Sequence, residues 1–151
     1  MINLIAFIFT IGLLVVVHEL GHYLAAKSVG VKVEKFYIGF NIFGYGFKKV
    51  INGTEYGIGW LPIGGYVKLA GMLDESFDTT RSNEPTDFHY QPVWAKIWIM
   101  SAGVLMNFLL AIGLSIWLHH WVIKIEESFL QSKFGEEYDQ YKKSVKRWLF
   151  I

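Results

Sequence analysis

Three residues within one short stretch, VVVHELGHYLAAK, carry the strongest chemical signal in this chain: His18, Glu19 and His22. On an α-helix, positions i and i+4 stand on one face, so both imidazoles can reach a single ion. The pattern H-E-x-x-H suits zinc held by two imidazoles, with Glu19 placed to polarise a water molecule and accept its proton. Water activated in this way can attack an amide. The same pattern arises by chance on soluble helices, where two histidines are ordinary surface residues. Here the flanking residues are apolar, and a glutamate and two histidines inside a membrane span are costly without a role.

The elements that must position these groups follow from hydropathy. Of 151 residues, 53% are hydrophobic and only 18% charged. A chain of this length has one compact unit as its prior expectation. There are no cysteines, which excludes disulfides and thiolate metal sites. A net charge of +1 gives no footprint for a nucleic-acid partner. Residues 2–26 and 97–118 are each long enough to span a bilayer, which takes roughly 20 apolar residues. No Lys or Arg precedes the first segment and no small-residue cleavage site precedes the histidines, so it reads as a retained transmembrane helix. The intervening loop, residues 27–96, holds eight Lys/Arg, five of them in residues 27–49. The positive-inside rule makes that loop cytoplasmic and both chain ends external. The tail's own six basic residues oppose this, though four lie beyond Tyr141, far from the span.

Within the loop, residues 31–71 look β-rich. VKVEKFYIGF begins with strand alternation, and Asn52-Gly53 between KKVI and TEYGI is a two-residue hairpin signal. GIGWLPIGGYVKLAG is too rich in glycine and proline for a helix and too apolar for a solvated linker. It either dips into the bilayer, where its backbone must be paired or line a cavity, or forms a small cytosolic β layer. Residues 74–92 read as a polar surface linker, with Pro92 suited to the first turn of the second span. From about Ile125, apolar residues recur three or four apart, with acids early and bases late, as on an amphipathic helix. Gly135 is its weak point. The expected fold is therefore a mainly α membrane protein. It has two transmembrane helices, a β-rich membrane-associated loop and a C-terminal amphipathic helix, divided into residues 1–118 and 119–151.

HELGH in a first span, then PIGGYVKLAGMLDES in a β-rich loop, then SAGVLMNFLLA in a second span together resemble the N-terminal half of the site-2 protease family. The resemblance covers about residues 1–118. It implies a zinc metalloprotease, multi-pass in a bacterial inner membrane, that cuts the transmembrane helices of protein substrates. It makes His18 and His22 zinc ligands and Glu19 the catalytic base. It makes GIGWLPIGGYVKL, with Gly64 and Gly65, the hairpin that holds an unwound substrate, and Asn107 an intramembrane asparagine near the active site. Physically, Asn107 serves a helix–helix hydrogen bond equally well. Gly103 would allow close helix approach; the family's following proline is Val104 here. The family's third zinc ligand, an aspartate in an L-D-G motif on a later span, has no counterpart: Leu73-Asp74 is followed by Glu75 and lies in the polar loop. His119 and His120 stand at the far end of the second span. A second chain or a missing segment is expected to complete the site.

The tail EESFLQSKFGEEYDQYKKSVKRW is similar to the C-terminal segment of the isoprenylcysteine carboxyl methyltransferase and phospholipid methyltransferase families. That resemblance implies an S-adenosylmethionine-dependent membrane methyltransferase. The upstream cofactor segment of those families is absent. A non-catalytic or composite membrane module is the third reading.

Overall fold

The computed structural model describes residues 2–40, 46–72 and 84–145. Residues 1–109 and 110–151 form two compact units.

The first unit begins with α1, Ile2–Ser28. Nothing charged interrupts it before His18, and its length is about 40 Å at 1.5 Å per residue. It stops two residues later than the sequence suggests, and the stop has a clear cause. Gly30 adopts φ 77°, Val31 N–H donates to the Ala26 carbonyl at 2.9 Å, and Gly30 N–H donates to Lys27 at 3.2 Å. These two bonds are the Schellman pair that closes a helix over a glycine.

Four strands follow: β1 (Val33–Phe40), β2 (Gly46–Ile51), β3 (Thr54–Gly59) and β4 (Leu61–Leu69). They form one sheet in the order β2-β3-β1-β4. The Asn52-Gly53 hairpin appears as expected, both residues at positive φ, with Ile51 opposite Thr54. β1 runs parallel to β3 and antiparallel to β4, so β4 is left as an edge strand. Tyr23 of α1 fastens the helix to the sheet: its hydroxyl lies 2.6 Å from that of Tyr56, and its ring meets Phe36 edge-on.

Residues 84–92 are not the solvated linker that their composition suggests. Phe88 N–H donates to Ala70, Lys32 N–H donates to Thr86, and Asp87 is fully buried. Backbone bonds at the end of the sheet outweigh the polar side chains here. The rest of that stretch, with Leu73-Asp74, lies outside the described residues. The chain then enters α2, Val93–Trp117, whose first residues sit four earlier than hydropathy alone places the span. The core lies where Ala25, Ala26, Val31, Val33, Leu69, Ile99 and Ala102 meet.

In the second unit a π-helical turn, Leu118–Ile123, is followed by α3 (Lys124–Phe134) and α4 (Glu136–Ser144). The expected single amphipathic helix is thus two. Gly135 divides them at φ 50°, ψ −120°, a conformation open to glycine and strained for other residues. Residues 146–151 of the tail lie outside the described residues. The two helical segments Asn3–Ser28 and Val93–Phe134 are long and apolar enough to cross a membrane.

Candidate metal-binding and catalytic site

α1 carries His18, Glu19 and His22 within its last three turns before the sheet. The Nε2 atoms of His18 and His22 lie 3.1 Å apart. Two ligand nitrogens on a tetrahedral zinc, each at 2.0–2.1 Å, stand about 3.3 Å from one another. His22 Nδ1 is 2.7 Å from the Ile99 carbonyl of α2. A carbonyl only accepts, so Nδ1 is the donor in this bond, and Nε2 is the nitrogen turned to His18. This is the arrangement that orients a metal-bound imidazole. The residues therefore fit zinc as two of its ligands.

Glycines bring the second helix against the first. A Cβ on Gly21 would lie 2.5 Å from the Ala102 carbonyl oxygen. A Cβ on Gly103 would lie 2.6 Å from His22 Nε2 and 2.7 Å from His18 Nε2. Small residues of this kind let two helix backbones approach closely in a membrane. Here they also leave a hydrogen-sized surface over the paired imidazoles. Asn107 is one turn beyond Gly103 on the same face of α2. Its Oδ1 is buried, with no hydrogen-bond partner among the described residues.

The sheet supplies the other wall. The backbone N–H of Val67 on β4 faces the Glu19 carboxylate. Val67 stands opposite Phe36 and Gly65 opposite Ile38, in regular register. Alternation then turns the backbone groups of both Gly65 and Val67 to the free edge of β4, beside Glu19. Gly65 permits the approach: a Cβ there would be 3.3 Å from Glu19 Cγ and 2.8 Å from the Tyr37 carbonyl oxygen. Gly64 points elsewhere. At φ 99° it lies against the Phe40 ring, and a Cβ would penetrate that ring. A cleft of ≈230 Å³ opens beside Glu19 and His22, between β4 and α2.

The structure brings the expected His18, Glu19, His22 and Gly65 near one another, and beside them stand the Ile99 carbonyl and the Val67 N–H, which the sequence did not suggest. Both are backbone groups, which no residue type reveals. Gly21 lies inside the motif itself, where its contact with Ala102 leaves no local trace. No cluster of three or more His, Cys, Asp or Glu that could hold a metal occurs among the described residues. His119 and His120 sit in the π-helical turn of the second unit, their rings 5.5 Å apart.

Comparison with known proteins shows the family. The family model described as Peptidase family M50 matches residues 6–149. A proposed zinc metalloprotease of Vibrio cholerae is 46% identical over 119 residues, 77% of this chain and 25% of its own length. Metalloprotease MmpA of Caulobacter vibrioides is 37% identical over 130 residues, 74% of this chain and 32% of its own length. A proposed zinc metalloprotease of Ralstonia nicotianae is 43% identical over 121 residues, 76% of this chain and 26% of its own length. The chain belongs to peptidase family M50, the family of site-2 metalloproteases. It spans 25–32% of the length of these three relatives. The matched region also runs through most of the tail, and the methyltransferase resemblance of that tail receives no support. The tail residues that suggested it are spaced by helical amphipathicity, a pattern many helices share.

Proposed function

We propose that this chain is the metal-binding core of an intramembrane zinc protease, which hydrolyses peptide bonds of transmembrane protein substrates. The observation that carries the reading is the convergence of His18 and His22 Nε2 at 3.1 Å beside Glu19 and the free edge of β4. His18 and His22 would hold zinc. A third ligand would come from a further segment of a longer protein or from a second chain, because catalytic zinc normally has three protein ligands. When bound, zinc supplies a Lewis acid that polarises a peptide carbonyl and makes water nucleophilic near neutral pH.

The chain's own residues perform the remaining work. The edge of β4 holds a peptide in extended form by adding it as a strand, through the backbone groups of Gly65 and the carbonyl of Val67, whose N–H faces Glu19. An unwound segment is what hydrolysis requires, because a helix keeps its carbonyls in internal hydrogen bonds. Glu19 takes a proton from the attacking water and delivers it to the departing amine. Asn107, with its unpaired buried oxygen, orients the substrate from α2. The apolar lengths of both helices support a reaction within a lipid bilayer, and the proposed location is a bacterial inner membrane with the loop on the cytoplasmic side.

The test is cleavage of a transmembrane reporter in membranes of cells that express the chain, with zinc supplied. Reporter fragments that vanish with Glu19→Gln support the reading. Equal cleavage by wild type and Glu19→Gln contradicts it.

A further inference from the structure

The cleft beside Glu19 and His22 has a second part that the proposed reaction does not use. Beyond Glu19 and His22 its walls are Tyr66 on β4, Leu69 at the end of that strand, Met72 just after it, and Ile99 with Met100 on α2. Leu69 and Ile99 belong to the buried core and form a fixed floor. Met72 and Met100 are 40% and 55% exposed and form the rim. The chain has four methionines, and two of them meet here. An unbranched thioether has three rotatable bonds and adapts to the shape it meets. The combination is a rigid apolar base with an adjustable apolar rim.

Resting on the protease reading above, we infer that this pocket selects the side chain next to the bond to be cut. The residue it takes is a medium-sized apolar one such as leucine or methionine. A peptide added along β4 passes Gly65 and Val67 and projects alternate side chains from one face. Side chains that follow the backbone past Glu19 meet the pocket at once. Beyond Glu19 and His22 the lining carries no charged side chain to pair with an acidic one, and Glu19 itself repels it. The flexible rim admits several apolar shapes, whereas the Leu69–Ile99 floor limits their depth. Met72 and Met100 are therefore specificity-determining residues.

The four methionines make the inference testable without activity. The chain is labelled with ¹³C at the methionine methyl groups and placed in detergent micelles. It is titrated with a blocked six-residue peptide carrying a central leucine, and with the same peptide carrying aspartate there. Met72→Ala and Met100→Ala assign the two signals. The expected result is saturable movement of the Met72 and Met100 methyls with the leucine peptide, with Met1 and Met106 unmoved and little response to aspartate. Met100→Ala should weaken leucine binding about fivefold to tenfold, through lost apolar contact, and Met100→Leu should restore it. Equal movement of all four methyls, equal response to both peptides, or no response at all overturns the inference. Zinc content of the same samples separates the two claims. Selective methyl shifts without zinc binding leave the pocket standing and remove the protease reading; zinc binding without methyl shifts does the reverse.

Discussion

His22 and Ile99 are joined across 77 positions of sequence by a bond from an imidazole Nδ1 to a backbone carbonyl, 2.7 Å long. The bond settles which ring nitrogen of His22 faces His18. It also ties the metal site to the position of α2, since Ile99 is buried in the core that anchors that helix. Anything that moves α2 against α1 should therefore be read first at the metal.

Gly103 is the most direct such lever. Gly103→Ala places a methyl group 2.6 Å from His22 Nε2 and 2.7 Å from His18 Nε2, so the imidazoles or the helices must shift. The expected outcome is a loss of zinc affinity of about 10–100-fold, the range for disturbed support of metal ligands, with helix content unchanged. Competitive zinc titration beside circular dichroism measures both.

Glu19 and His22 should separate by readout. Glu19→Gln is expected to keep zinc and lose about 10²-fold or more of any hydrolysis, as for removal of a general base. His22→Ala is expected to lose zinc itself. Metal content and reporter cleavage, measured on both variants, test the division of roles. Zinc lost equally from both would oppose it.

Gly65→Ala probes the sheet's approach to the site. Its Cβ would lie 2.8 Å from the Tyr37 carbonyl, so β4 must shift outward from β1 and against Glu19. Overpacking of this kind costs about 1–3 kcal/mol. Unfolding of the chain in a mild detergent should show that loss, and peptide binding should fall with it. Tyr23→Phe should cost less, about 1 kcal/mol, for the single hydrogen bond to Tyr56.

The sheet should also lose stability in alkali. Tyr37 is buried and donates to Glu55 at 2.5 Å. Burial first, and then the bond to the carboxylate, push its hydroxyl well above the ordinary tyrosine range. A folded-state value above the unfolded one gives stability that is present below pH of about 10 and fades as pH rises beyond it. Thermal unfolding at rising alkaline pH should show this slope, and Tyr37→Phe should flatten it.

Much of the fold was legible because its signals are local. The apolar runs, the Asn52-Gly53 turn and the i, i+4 histidines each state their geometry within a few residues. Residues 84–92 misled because their polar side chains hid backbone bonds to Ala70 and Lys32, partners distant in sequence. The tail misled in a related way. Its amphipathic spacing is real, but Gly135 cuts it into two helices, and its short residue pattern suggested a family that the wider match does not support. In the site, side chains could be read and backbone could not. Ile99 and Val67 contribute a carbonyl and an N–H that any residue type could offer. Gly103 was legible only as a small residue, not as the surface that covers His18 and His22.

The central claim is that His18 and His22 converge on one zinc ion. Equilibrium dialysis of the purified chain at saturating zinc, wild type beside His22→Ala, tests it most directly. One zinc per wild-type chain, lost in His22→Ala, is the expected result. No zinc in either protein, or the same amount in both, would contradict the account.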